Sequence, residues 1–240
     1  MRALRNAAWG ALLVGCQATV GVVLGEQAPD AAVGSEAATV EMGLSDAEAA
    51  LDDASPVVVH LGGDAATSEH GSPTGGAPFL DLCPYDEAVV ALQGSLAYYV
   101  PSLVLGAIQA TCASMAVDPS SGQVTTAPGA VLQVQGTGPA SVWTQACPAG
   151  QVVVGFVGRS GDALDQAAFE CTSLAVDLDA GWFSLGPRVV LTAAGGDGGL
   201  PFQSECPAGQ LARGLVGRSG VWIDELGLVC ASPALGASDR

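Results

Sequence analysis

Apolar positions in the second half of the chain recur with the period of a strand. Gln151-Val152-Val153-Val154-Gly155-Phe156-Val157 is a β-branched run bounded by Pro148-Ala149-Gly150 before it and Gly158-Arg159-Ser160-Gly161 after it, the composition of a strand held between turns. The next run alternates, with Ala167, Phe169 and Cys171 on one face and Gln166, Ala168 and Glu170 on the other. Glycine and serine between the two runs mark a hairpin turn. Ser173-Leu174-Ala175-Val176 and the run from Val189 to Gly195 read as two further strands. No long amphipathic helical pattern competes within 56–240.

The same unit returns 59 residues later. Cys147-Pro148-Ala149-Gly150-Gln151 recurs as Cys206-Pro207-Ala208-Gly209-Gln210, and Gly-Arg-Ser-Gly at 158–161 recurs at 217–220. From Cys147 to Cys171, 13 of 25 positions are identical in the second copy. A worn third copy lies upstream, opened by Cys83-Pro84 and closed by Cys112-Ala113-Ser114, with an inner segment five residues longer. Each copy has a β-rich lead-in: Val57–Gly62, Val131–Gly136 and Val189–Gly195. The copies run about 56–117, 129–176 and 187–235, a total that fits one domain, 56–240. With about four strands in each copy, the expected fold is all-β: a β-prism of three pseudo-symmetric four-stranded sheets, each burying one face against the other two.

Cysteine parity adds a constraint. Of seven cysteines, six bracket the copies and Cys16 is left over. Six cysteines permit 15 pairings, and the repeat favours the symmetric one: Cys83–Cys112, Cys147–Cys171 and Cys206–Cys230. A metal site is the weaker reading, because no Cys-x-x-Cys occurs and His60 and His70 are far from the cysteine ladder. No metal or cofactor is expected.

The N-terminal part changes the picture from a bare domain to an exported one. Arg2 and Arg5 precede a short apolar stretch, Ala7–Gly15, too short to span a bilayer. Leu13-Val14-Gly15-Cys16 resembles a bacterial lipobox, which implies a signal peptide over 1–15 and lipidation of Cys16. The competing reading is an ordinary signal peptide with a later cleavage. Residues 16–55 are rich in Ala, Glu, Asp and Gly with few large apolar residues; they read as a disordered acidic tether between the anchor and the domain. The chain has no lysine, seven arginines and 24 acidic residues. That balance excludes nucleic-acid binding through phosphate contacts.

The glycine-rich turns carry the candidate chemistry. Gly214–Asp224 and Gly155–Asp165, with Gly199-Leu200-Pro201-Phe202, resemble the strand pair and binding loop of the jacalin-related lectins. That resemblance implies a sugar site built from a G-x-x-x-D loop facing a Gly-Gly loop. Gly161–Asp165 and Gly220–Asp224 match the first element. Gly75-Gly76 and Gly195-Gly196, within Gly195-Gly196-Asp197-Gly198-Gly199, match the second. By pseudo-threefold logic, Asp224 faces Gly75-Gly76 and Asp165 faces Gly195-Gly196. At the third position, next to Gly136-Thr137-Gly138, Gly106 stands where the aspartate would be and Ser102 replaces the first glycine. The cysteine pairs depart from that family and resemble the vitelline membrane outer layer protein, another β-prism.

The residues make the chemistry intelligible in their own right. Aspartate offers two acceptor oxygens for adjacent sugar hydroxyls, and glycine lets backbone approach without a Cβ. Asp162 lies in the same loop as Asp165. Trp222 is either a platform for a sugar ring or an aromatic packed into the rim. Arg159 and Arg218 read as residues bonding neighbouring carbonyls.

Catalysis finds little in this sequence: no G-x-S-x-G elbow, P-loop or zinc helix occurs. The expected function is therefore a lipid-anchored, non-catalytic protein of the bacterial cell envelope, at the outer membrane or cell surface. Its partners would be a glycan and, through the anchor, the membrane. The alternative is a structural or protein-contact β-prism lipoprotein without sugar binding.

Overall fold

The computed structural model describes residues 57–138 and 142–236, and all regular structure in them is β. The expected signal segment, Cys16 and the acidic stretch 16–55 lie outside the described residues. The chain repeats one rhythm: a few short strands, then a long hairpin. First come β1 (Val57–Ala66), β2 (His70–Gly71) and β3 (Ala77–Leu82), then the hairpin β4 (Glu87–Tyr99) and β5 (Ser102–Val117). Next are β6 (Val124–Val131), β7 (Gln135–Gly136) and β8 (Trp143–Ala146), then the hairpin β9 (Gln151–Ser160) and β10 (Leu164–Asp177). The last set is β11 (Trp182–Leu185), β12 (Val189–Val190), β13 (Ala194–Gly195) and β14 (Leu200–Glu205), followed by the hairpin β15 (Leu211–Ser219) and β16 (Ile223–Leu235).

The three sheets do not coincide with the three sequence copies. Each hairpin is flanked by the short strands that follow it in the chain. β8 pairs with β4, while β6 and β7 pair with β5. β14 pairs with β9, while β11, β12 and β13 pair with β10. Consecutive elements tend to be neighbours in space, and the short strands take the edges of the hairpin they follow. The sheet of the last hairpin is completed by the first short strands: β3 pairs with β15, and β1 and β2 pair with β16. The two ends of the described region are thereby tied together and the ring of sheets is closed. Val57 and Val58 of β1 also pair with Val117 and Ala116 of β5, and Gln123 bridges to Ala175.

Each sheet sends its large apolar residues into one shared core. Leu92, Leu105 and Ile108 come from the first sheet, Phe156, Leu164 and Phe169 from the second, and Leu215, Ile223, Leu226 and Leu228 from the third. This mutual burial makes the unit a three-sided β-prism. A second apolar cluster, with Val59, Met115, Val117, Val152, Leu174 and Leu211, closes the ends of the hairpins remote from their turns. The disulfides are Cys83–Cys112, Cys147–Cys171 and Cys206–Cys230. Each joins the turn that leads into a hairpin to that hairpin's second strand, and the N–H groups of Cys83, Cys147 and Cys206 donate to the carbonyls of Arg213, Val90 and Val154 in the neighbouring hairpins.

Two bulges recur in every hairpin, and the sequence pattern does not announce either. The first leaves Val90, Val154 and Arg213 without a ladder partner; each lies seven residues after its opening cysteine. The second leaves Gly106, Asp165 and Asp224 unpaired, each six residues before its closing cysteine. A bulge breaks the period of two and re-aims the side chain it carries.

Candidate binding site at the hairpin rim

The second bulge builds the site. At Asp224 the freed backbone carbonyl accepts from the N–H of Ser72 at 2.8 Å, at Asp165 from Gly196 at 2.8 Å, and at Gly106 from Thr137 at 2.9 Å. Each bulge is therefore locked to the short strands of its own sheet. The glycine before each donor, Gly71, Gly195 and Gly136, has φ of 124°, 116° and 81°. A Cβ at any of them would run into the bulge carbonyl or the backbone beside it. Gly195 is thus a backbone fitting common to all three sheets, and Gly196 holds the Asp165 carbonyl. Neither lines the carboxylate, which corrects the expected pairing of Asp165 with Gly195-Gly196.

The carboxylates face a different pair of glycines. A Cβ at Gly75 or Gly76 would fall within 2.5 Å of an Asp224 carboxylate oxygen, and one at Gly198 or Gly199 would do the same at Asp165. Gly76 and Gly199 also have φ of 45° and 63°, a left-handed backbone that favours glycine. Only glycine satisfies both demands at once. The signal was present in the chain: Gly75-Gly76-Ala77-Pro78-Phe79 and Gly198-Gly199-Leu200-Pro201-Phe202 share the pattern G-G-x-P-F.

Arginine fixes each turn from behind. Arg218 donates Nε–H to the Gly75 carbonyl and Nη2–H to that of Gly76, the latter at 2.9 Å. Arg159 donates in the same way to Gly198 and Gly199, both at 2.7 Å. The repeated Gly-Arg-Ser-Gly thus holds the glycine turns against the aspartates. Gly161 and Gly220 shape the hairpin tips, where their N–H groups donate to Ala163 and Trp222 carbonyls at 3.0 and 2.9 Å.

The two carboxylates are alike in burial and different in surroundings. Asp165 and Asp224 are each 6% exposed. Burial pushes both above the ordinary aspartate value, against the pull of Arg159 on one and of Trp222 and Arg218 on the other. Trp222 donates its indole N–H to Asp224 Oδ1 at 3.0 Å, and its ring meets Tyr99 edge-on at 4.9 Å. Trp222 is therefore packed into the rim, where it orients the carboxylate. Asp224 Oδ2 is buried and has no hydrogen-bond partner among the described residues. In the other tip Ala163 stands at the tryptophan position, and Asp162 is exposed and accepts from Tyr99 Oη at 3.4 Å.

The third position carries no carboxylate, since Gly106 occupies the bulge and Ser95 stands in the place of the arginine. Ser102 is not equivalent to Gly161 or Gly220: it lies within the lengthened hairpin, paired with Tyr99. Tyr99 had no sequence signal, because the residues it touches belong to the other two sheets. Among the described residues, no group of three His, Cys, Asp or Glu side chains is placed to hold a metal ion.

Comparison with protein families and with curated proteins finds no match for this chain. Solved structures do resemble it. A Malaysian banana lectin is similar at 16% identity and a TM-score of 0.45, over 70% of this chain and 98% of the lectin. The Calsepa lectin in complex with a biantennary N-glycan is similar at 18% identity and a TM-score of 0.43, over 70% and 97%. A mannose-binding jacalin-related lectin from Ananas comosus is similar at 15% identity and a TM-score of 0.43, over 70% and 98%.

Proposed function

We propose that the β-prism is a non-catalytic carbohydrate-binding module, held at the cell envelope by a lipid on Cys16. The observation that carries the sugar reading is the Asp224 cradle. A buried carboxylate sits at a rim, one oxygen is aligned by an indole, and the other lacks a donor. Burying an acceptor without a partner costs free energy, so such a group calls for an explanation. Adjacent ligand hydroxyls are donors of the right kind. The same bulge, glycine turn and arginine brace recur at Asp165, which makes two copies of one device.

Charge narrows the ligand to a neutral saccharide. All four described arginines are engaged: Arg159 and Arg218 with glycine carbonyls, Arg188 with Glu170 and Glu205, and Arg213 with Asp64. Among the described residues, no cation is left to meet a sulfated or carboxylated sugar, and the aspartates repel one. Support for the anchor is the basic and apolar lead into Leu13-Val14-Gly15-Cys16. The other six cysteines pair among themselves, which leaves Cys16 as the odd thiol.

One observation favours the structural alternative. Both carboxylates are wedged against glycine turns, as buttresses of a protein-contact module would be. Glycan-array binding of the wild type and of Asp165→Asn/Asp224→Asn separates the two. Binding by the wild type that is lost in a folded double variant supports the sugar sites; binding that persists in the double variant removes them. Palmitate incorporation abolished by Cys16→Ser is the expected result for the anchor, and persistent labelling refutes it.

A further inference from the structure

The five extra residues of the first copy are confined to its hairpin tip. Ser95 and Arg159 each lie twelve residues after their opening cysteine, and Gly106 and Asp165 each lie six before their closing one. The whole difference therefore falls between Ser95 and Gly106. There the hairpin continues through three more pairs, Ala97–Val104, Tyr98–Leu103 and Tyr99–Ser102, past the level at which the other two hairpins turn.

The lengthened tip leans across both aspartate sites. Tyr99 packs on Trp222 of one site and reaches Asp162 of the other through its hydroxyl. The backbone and side chain of Leu103 and the hydroxyl of Ser102 lie against Gly196 and Gly198. On the opposite side, Thr137 donates its hydroxyl to the Val221 carbonyl at 2.5 Å, which braces the third tip. At the rim, Tyr98 is 74% and Val100 88% exposed.

From this juxtaposition we propose that the first hairpin tip is an aromatic bridge joining the Asp224 and Asp165 sites into one extended site for a neutral oligosaccharide. The inference rests on the sugar reading above and adds the length of the ligand. Tyr99 is the residue that touches both tips: the ring of Trp222, which holds the Asp224 carboxylate, and Asp162, three residues before Asp165 in the other tip. The exposed part of the Tyr99 ring (37%) offers a run of linked pyranose rings an apolar face to stack on, with the exposed Asp162 beside it as an acceptor. The copy that lost its own carboxylate thus supplies the link between the other two.

Calorimetry with methyl α-glycosides of mannose, glucose and galactose, and with the corresponding α-linked trisaccharides, tests this. The wild type is expected to bind two molecules of the preferred monosaccharide per chain but one of its trisaccharide, the latter about tenfold more tightly. In Tyr99→Ala the ratio of trisaccharide to monosaccharide affinity collapses towards one; in Tyr99→Phe, which keeps the ring, most of the ratio survives. Two trisaccharides bound per wild-type chain, or an undiminished ratio in Tyr99→Ala, overturns the bridge and leaves the separate sugar sites standing. Failure of every saccharide to bind the wild type overturns both.

Discussion

At the scale of single residues, the site is a balance between a costly carboxylate and the glycines that permit it. Burial raises Asp165 and Asp224, so the folded chain holds those protons more tightly than the unfolded one. Their contribution to stability is therefore most favourable below the unfolded value of 3.8 and falls as pH rises through the raised folded value. Ligand hydroxyls need the ionised form, so affinity runs the other way. Saccharide binding is expected to be level at neutral pH and to weaken on acidification with a midpoint above 3.8, measured by titration calorimetry across pH. Asp224→Asn is expected to lose binding at its site while melting at a higher temperature at pH 7, the trade-off of a site held at the expense of stability. A lower melting temperature would favour the buttress reading. The glycines give a matched contrast. Gly199→Ala meets both a positive φ and the Asp165 carboxylate, and is expected to cost about 3 kcal/mol by chemical denaturation. Gly209→Ala shares the positive φ but meets nothing within 4 Å, and is expected to cost about 1 kcal/mol.

At the scale of elements, each hairpin repeats the same pair of bulges but fills them differently. Val154 is buried at the first bulge, whereas the third hairpin places Arg213 there, 4% exposed. A buried guanidinium has to be paired. Arg213 is held by both oxygens of Asp64 at 2.7 and 2.6 Å, by the Cys83 carbonyl at 3.3 Å, and by the Tyr85 ring 4.1 Å away. Asp64 is itself partly exposed, so solvent screens the pair. Removing one partner leaves the other charge uncompensated. Asp64→Ala is expected to destabilise the fold by about 2 kcal/mol, whereas Arg213→Val/Asp64→Ala, which copies the second hairpin, is expected to recover most of that loss. Urea unfolding of the two variants checks the order. Equal losses in both would mean that packing around Arg213, not its charge, sets the stability there.

At the scale of the whole molecule, the sheets meet through aromatic contacts that no single copy contains. His70 of the third sheet stacks on Phe202 of the second at 4.0 Å and stands edge-on to Phe156. Its Nε2 is buried without a partner, and burial lowers its pKa below 6.5. The neutral ring is the form that the interface accepts. The resulting stability is complete above 6.5 and is lost as pH falls through the lowered folded value, opposite in sign to the aspartates. His70→Phe is expected to flatten the fall in melting temperature just below pH 6.5, read by thermal scans across pH. An unchanged profile in the variant would remove His70 as its source.

The strands, the threefold repeat and the cysteine pairing were legible in the chain, because each rests on local pattern: alternation, turn residues and a constant spacing between half-cystines. The aspartate-bearing tips were legible for the same reason. Which short strands join which hairpin was not, because edge pairing depends on where the preceding hairpin leaves its free edges. The mispairing of Asp165 with Gly195-Gly196 arose there too, since adjacency along the chain does not give the register across a bulge. Sequence by itself determined three similar cysteine-bracketed hairpins, the second and third with tips that carry glycine and aspartate. Only the tertiary structure decided that the first short strands would close the last sheet, and that a lengthened tip from the copy without a carboxylate would lie between the two that kept theirs. Those outcomes depend on contacts between segments far apart in the chain, which shared burial in one core brings together.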